Sequence, residues 1–131
     1  MPRRITLSTL AVTTCCLMSS AVLSHHSTAG IYNEDELVEI TGTVQEWRFV
    51  NPHPSLILEV VGEDGTVQEW DVSYGGAAVT HLRRRGYTEE TFKPGDVIVA
   101  RGFAAKVTTA FGLLIRGDPT GADGEAILPE N

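Results

Sequence analysis

The sequence predicts a mostly β domain with one short helix, an OB-like, five-stranded and partly open barrel. Three observations predict this class: five apolar runs with strand-like spacing, one helix-like run between the third and the fourth, and a break in the alternation of the first. An OB-type barrel has five strands and fits this order. A small sandwich needs more strands than the chain offers.

An uncharged apolar segment precedes this domain and is typical of a secretory signal. Arg3 and Arg4 give a positive start, residues 5–23 are apolar or small, and residues 22–24 suit a cleavage site. Six Ser and Thr residues between Leu7 and Ser20 disfavour a transmembrane helix. We expect residues 1–24 to be a signal peptide, so that the mature protein is periplasmic or secreted and has no membrane anchor. Cleavage after Ala21 or Ala29 is the alternative.

Charge and cysteine content narrow the classes of function. Cleavage after Ser24 leaves 107 of the 131 residues, which is enough for one domain. Both Cys residues leave with the signal, so the mature chain has neither a disulfide nor a thiolate ligand. Without Arg3 and Arg4, eight Lys and Arg face 17 Asp and Glu, a net charge of −9. This charge repels nucleic acid and anionic lipid and attracts cations.

The first strand of the domain is predicted to be long and bent. Residues 25–37 are polar and aperiodic, which indicates an N-terminal arm, and alternation begins at Val38. The alternation changes phase after Val44, because Trp47 takes up an odd position, and an extra residue near 45–46 explains this as a β-bulge. Two prolines in residues 51–54 then end the strand, since proline cannot donate to a ladder.

The other elements follow from apolar alternation and from turn residues. A turn at 62–65 joins the second and third strands, and a helix is predicted to end in three arginines followed by Gly86. The barrel domain is thus expected over residues 38–117, with a flexible tail over 118–131. The predicted elements after the first strand are strands at 56–60 and 67–72, a helix at 77–85, and strands at 97–103 and 107–115.

Histidine placement suggests a metal site at the start of the mature chain. Cleavage after Ser24 gives His25 a free α-amine beside its own imidazole, and both nitrogens can chelate one ion. A further imidazole from His53 or His26 would give three nitrogens in a plane. Cu(II) prefers this arrangement, so copper is the expected cofactor. The protein would then be a periplasmic copper carrier or buffer.

His53 is a reasonable third ligand because Pro52 and Pro54 stiffen the backbone on both sides of it. The alternative is a strand-ending turn whose histidine faces water, with His25 and His26 in a frayed terminus. His81 lies in the predicted helix and is interpreted as a structural or surface residue, outside any site.

Trp47 and Trp70 allow two interpretations, as core anchors or as an aromatic binding patch. The patch predicts a second class of function, a metal-free module that binds a small ligand or another envelope protein on the barrel face. An oxygen-activating copper enzyme is a third class. The chain shows no nucleophile or acid–base constellation for catalysis, and a domain of this size leaves little scaffold for a substrate cleft.

The combination of short motifs resembles a family of small exported bacterial proteins classed as a domain of unknown function. The resemblance covers nearly all of the mature chain and implies export, an envelope location and a compact β-barrel-like domain, with no established activity. A leading His-His paired with an Asn-Pro-His turn matches His25, His26 and His53, whereas His81 and Arg83 depart from the pattern. The motifs are His-His-Ser at 25–27, Gly-Thr-Val at 42–44, Trp47, Asn-Pro-His at 51–53, Arg-Arg-Gly-Tyr-Thr at 84–88 and Lys-Pro-Gly-Asp at 93–96.

The cleavage site is directly testable. Expression with export in a bacterial host is expected to yield a protein whose intact mass and N-terminal sequence begin at His25, because residues 22–24 carry the cleavage pattern. A mature chain that begins at Val22 or at Gly30 would rule out an amine–imidazole chelate at His25.

Overall fold

Six strands, one α-helix and a short 3-10 helix (Thr28–Gly30) make up residues 28–107 and 110–128, the part of the chain that the computed structural model describes. The predicted signal peptide, His25 and His26 lie outside these residues. The elements are β1 (Val38–Arg48), β2 (Ser55–Val61), β3 (Val67–Ser73), α1 (Val79–Arg84), β4 (Val97–Ala104), β5 (Gly112–Ile115) and β6 (Thr120–Gly121).

Five of these strands form a ring in the order β1-β2-β3-β5-β4, and pairing between β1 and β4 closes it. The β3–β5 pair is parallel, and the other four pairs of the ring are antiparallel. The chain places α1 between β3 and β4. The predicted OB-like barrel is therefore confirmed, and its ring is hydrogen-bonded all round.

The first strand pairs with two neighbouring strands, and a β-bulge allows it to do so. Residues 38–43 of β1 pair with β4, and residues 43–48 pair with β2. The register with β2 shifts between Val44 and Glu46, as the sequence predicts. Gly42 lies just before this bend, where an added Cβ would be 3.0 Å from the backbone oxygen of Glu59. Glycine thus allows β1 and β2 to approach closely.

The core fills the ring from the inward face of each strand. Leu56, Leu58 and Val72 are completely buried, and α1 adds Leu82 to the same cluster. Full burial of side chains of this size contributes about 1.5–3 kcal/mol each. The full set of buried core residues is Ile40, Val44, Phe49, Leu56, Leu58, Val72, Tyr74, Val79, Leu82, Tyr87, Phe92, Ile98, Ala100, Leu113 and Ile115.

The helix is shorter than the predicted 77–85. A hydrogen bond explains where it begins, and a glycine explains where it ends. The backbone N–H of Val79 donates to Asn51 Oδ1 at 3.0 Å, so the turn after β1 caps the helix. At the other end Gly86 has a φ of 97°, which glycine adopts at little cost. Among residues 28–107 and 110–128, no helix is long and apolar enough to cross a membrane.

The C-terminal segment differs from the flexible tail expected over 118–131. Residues 120–121 form β6 and pair with β4, Pro119 is fully buried, and Ile127 packs against the core. Asp118 accepts hydrogen bonds from Tyr87 and Arg85, which attaches the start of this segment to the end of the helix. The Gly, Pro and Asp residues that suggested a loose tail form tight turns here, and Gly124 has a φ of 83°.

Gly102 allows a mutational test of the closed ring. An added Cβ there would overlap the backbone carbonyl of Leu114 on β5. We expect Gly102→Ala to lower the free energy of unfolding by about 1–3 kcal/mol or more, because the two strands must separate. Gly76→Ala is the matched control, since its Cβ meets no atom within 4 Å. Equal urea midpoints for the two variants would contradict this packing.

Candidate functional site

A groove with a volume of about 360 Å³ lies on the outer face of β2 and β3. Its walls are the turn between β1 and β2, the loop between β4 and β5, and the N-terminal arm. OB-type barrels use this combination, the β2–β3 face with these two loops, to bind ligands. The groove is lined by Tyr32, His53, Pro54, Ser55, Asp71, Ser73, Ala105, Ala110, Phe111 and Gly112.

Strand register places the polar groups on the floor of the groove. Ser55 pairs with Ser73, and Asp71 pairs with Gly112 across the parallel β3–β5 junction. Their neighbours Leu56 and Val72 are completely buried, so the alternation of the strands turns Ser55, Asp71 and Ser73 away from the core. Asp71 is exposed, Ser73 is half-buried and Ser55 is buried. Gly112 has no side chain beside Asp71, which keeps the groove open at this point.

His53 lies in the turn that forms one wall of the groove, and its side chain is exposed. The turn is held on both sides of it. Asn51 caps α1, and the backbone oxygen of Pro54 accepts the N–H of Tyr74 at 3.5 Å, while Pro54 itself is fully buried. The imidazole is thus presented to solvent and to the groove from a fixed backbone.

The N-terminal arm is fastened to the opposite wall. Tyr32 forms a β-bridge with Ala105, and the N–H of Lys106 donates to the backbone oxygen of Ile31 at 2.8 Å. Lys106 Nζ also donates to the backbone oxygen of Ala29 at 2.7 Å. These bonds fix the course of the chain from about residue 29 and place the Tyr32 ring in the groove.

His53 is the one ligand of the predicted metal site that lies among the described residues. Within residues 28–107 and 110–128, no three His, Cys, Asp or Glu side chains are grouped closely enough to hold a metal ion. The other two predicted ligands, His25 and His26, lie outside these residues. His81 is exposed on α1 and does not line the groove, which agrees with its exclusion from the site.

Trp47 lies in an aromatic cluster of the core and does not line the groove. Its ring centroid is 5.2 Å from that of Phe49, 5.5 Å from that of Tyr74 and 5.1 Å from that of Phe92. Its indole N–H donates to the backbone oxygen of Thr88 at 2.8 Å. Of the two interpretations that the sequence left open, the structure places Trp47 as a core anchor.

Trp70 packs partly against the core and lies beside a recess of about 200 Å³ that shares lining residues with the groove. Its ring packs on Phe111 with centroids 5.4 Å apart, and its N–H donates to Gln68 Oε1 at 3.2 Å. Phe111 is 40% exposed and Val107 is 58% exposed, so the rim of the recess is apolar and accessible to solvent. The recess is lined by Trp70, Ala104, Ala105, Val107, Ala110, Phe111 and Gly112, four of which also line the groove.

The groove and the recess have one formal charge at neutral pH. Among the described residues that line them, Asp71 is the one acidic side chain, and neither Lys nor Arg is present. Arg48 lies one strand away on β1, where it is bonded to Glu46 at 2.8 Å and also interacts electrostatically with Asp71. The lining therefore favours a cation over an anion.

None of Tyr32, Asp71 and Phe111 was singled out from the sequence. The alternation within the second and third strands could have placed Ser55, Asp71 and Ser73 on one outward face. The parallel β3–β5 pairing brings the β4–β5 loop against this face, and no local pattern in the sequence marks that long-range contact.

Two buried tyrosines beside Trp47 make the fold sensitive to high pH. Burial raises the pKa of Tyr74 well above its ordinary value, and its hydroxyl has no hydrogen-bond partner among the described residues. Burial also raises the pKa of Tyr87, and the hydrogen bond that Tyr87 donates to Asp118 at 2.5 Å acts in the same direction. In the unfolded chain both hydroxyls ionise near pH 10.

The unfolded state therefore loses these protons first as the pH rises. The stabilisation is fully present below about pH 10 and is lost as the pH rises from there toward the folded-state pKa values. We expect Tyr87→Phe to be less stable than wild type at pH 8 but to lose stability less steeply between pH 9.5 and 11. Urea unfolding at several pH values in this range measures how steeply the wild type and the variant each lose stability. Parallel curves of unfolding free energy against pH would contradict the contribution of Tyr87 ionisation.

A comparison with protein families agrees with the resemblance seen in the motifs. No curated protein matches the chain. A family model described as "Family of unknown function (DUF6152)" matches residues 13–114, a range that includes the floor of the groove, His53 and both tryptophans. Because this match covers more than half of the chain, the protein belongs to the DUF6152 family, a family of unknown function.

Proposed function

We propose that this protein binds Cu(II) in the bacterial periplasm, as a carrier or buffer, through the α-amine and imidazole of His25 together with His53. His26 would supply a further nitrogen ligand. The observation that supports this most is the shared groove: the turn that holds His53 and the arm that leads back to His25 form two of its walls.

Chain length supports the joining of these ligands. The bonds of Ala29 and Ile31 to Lys106 fix the arm close to its start. A polypeptide spans at most about 3.3–3.6 Å per residue, so the three residues before Thr28 allow His25 a reach of about 10–11 Å from there.

Ligand chemistry also supports copper. Imidazole and amine nitrogens suit Cu(II), which leads the divalent metals in affinity for such sets. His53 is exposed, so its ring nitrogens are open to an incoming ion. The Asp71 carboxylate in the same groove lowers the electrostatic cost of a bound dication.

A second function, the binding of a small ligand without metal, is favoured by the recess beside Trp70. The exposed Phe111 ring and the hollow next to it offer apolar surface that residues 28–107 and 110–128 leave uncovered. An envelope protein is the other occupant that the sequence suggests.

The copper proposal predicts a nitrogen-rich Cu(II) site. Titration of Cu(II) into protein with His25 as its first residue is expected to give an EPR spectrum with nitrogen hyperfine structure. His53→Ala should remove one nitrogen from this spectrum and weaken binding at least tenfold, whereas His81→Ala, the matched control at an exposed position of α1, should change neither.

A variant with one extra residue before His25 tests the role of the α-amine in the same EPR titration. The extra residue moves the free amine away from the imidazole of His25. The proposal fails if the authentic protein gives no nitrogen-rich signal, or if His53→Ala leaves the spectrum and the affinity unchanged.

A further inference from the structure

We infer that the groove and the recess together form a binding site for a small organic cation, with its ammonium group at Asp71 and an aromatic body against Phe111 and Trp70. The inference rests on the second function above, ligand binding in the groove, and it does not require copper. It names the chemical class of the ligand.

Charge is the first argument for a cation. Asp71 is the single charged group among the described residues of the lining, and it stands on the outward face of β3 between Ile57 and Gly112. An ammonium group has three N–H donors and no acceptor. Asp71 offers two acceptor oxygens, and the hydroxyl of Ser73 lies on the same strand face two residues away. The excess of acidic residues across the chain adds a long-range attraction for cations.

Aromatic rings at the groove are the second argument. The rings of Tyr32 and Phe111 both line the groove that contains Asp71. A cation within about 6 Å of a ring centroid is attracted to the face of the ring. A carboxylate flanked by aromatic rings is thus suited to an organic ammonium, whereas a neutral alcohol would gain from the rings and lose the ion pair.

The recess is the third argument, because it provides space for an apolar body. Ala104, Ala105, Ala110 and Gly112 are small, and they leave about 200 Å³ open beside the Trp70–Phe111 pair. Phe111 keeps 40% of its surface exposed, and an aromatic ring placed there would remove that surface from water.

The two spaces meet at four shared lining residues, and a molecule that contacts Phe111 lies at the border of both. Ala105, Ala110, Phe111 and Gly112 line the groove and the recess alike. The groove volume of about 360 Å³ falls at the lower end of the range for ligand pockets, about 300–1,000 Å³, and the recess adds about 200 Å³. The site therefore suits a small aromatic amine better than a polymer.

Three probes of nearly equal size and different charge test this inference. Metal-free mature protein is titrated with 2-phenylethylamine, 2-phenylethanol and 3-phenylpropionate at pH 7 and low ionic strength, with calorimetry and tryptophan fluorescence as readouts. The amine is expected to bind at least about tenfold more tightly than the alcohol, and the carboxylate most weakly. Raising the salt concentration should weaken amine binding alone.

Two variants locate the contacts. Asp71→Asn keeps the shape of an exposed side chain and should reduce the affinity for the amine to that for the alcohol. Glu63→Gln, an exposed carboxylate in the β2–β3 turn, is the matched control and should leave amine binding unchanged. Phe111→Ala should weaken both the amine and the alcohol, because it removes the ring that both share.

The outcomes separate this inference from the function on which it rests. Equal binding of amine and alcohol, or amine binding that survives Asp71→Asn, overturns the cation inference and leaves ligand binding in the groove intact. Failure of all three probes to bind overturns the inference and counts against the metal-free function, while the copper assay is unaffected because it depends on His53.

Discussion

Strand β1 must hydrogen-bond to two neighbours at once, and the rest of the structure depends on how it does so. Its first half pairs with β4 and its second half with β2, and the register shift between Val44 and Glu46 bends it from one to the other. This bend closes the ring and sets the register of β2, which in turn sets that of β3. Gly42 permits the close approach that the bend demands.

The candidate site is built on the consequences of this closure. The turn that ends β1 carries Asn51, which caps α1, and His53, which lines the groove. Across the groove, the parallel β3–β5 pair places Gly112 opposite Asp71 and brings Phe111 with it. The arm completes the wall with Tyr32, since its backbone is bonded to the loop that follows β4. Residues distant in sequence thus line one surface.

The two proposed uses of this surface draw on different atoms. Copper would be held by imidazole and amine nitrogens, with Asp71 as a nearby negative charge. An organic ammonium would bind at Asp71 itself and would extend toward Trp70, where the protein leaves apolar surface open. Both ligands are cations, which is consistent with a lining whose one formal charge is negative. Because His53 and Asp71 are separate contacts, their variants distinguish the two proposals.

Apolar alternation was sufficient to predict β1 to β4 and the bulge near residues 45–46, and cap residues predicted the glycine that ends the helix, because each of these is a local consequence of side-chain spacing or of backbone dihedral preference. The fifth strand was predicted at 107–115 but begins at Gly112, and β6 was not predicted. The export signal and the ligands His25 and His26 remain predictions from the sequence. The packed segment at 118–128, the core position of Trp47 and the meeting of Tyr32, Asp71 and Phe111 were decided by tertiary structure. These features depend on which strands become neighbours when the barrel closes, and a contact across 40 residues leaves no periodic trace in the chain.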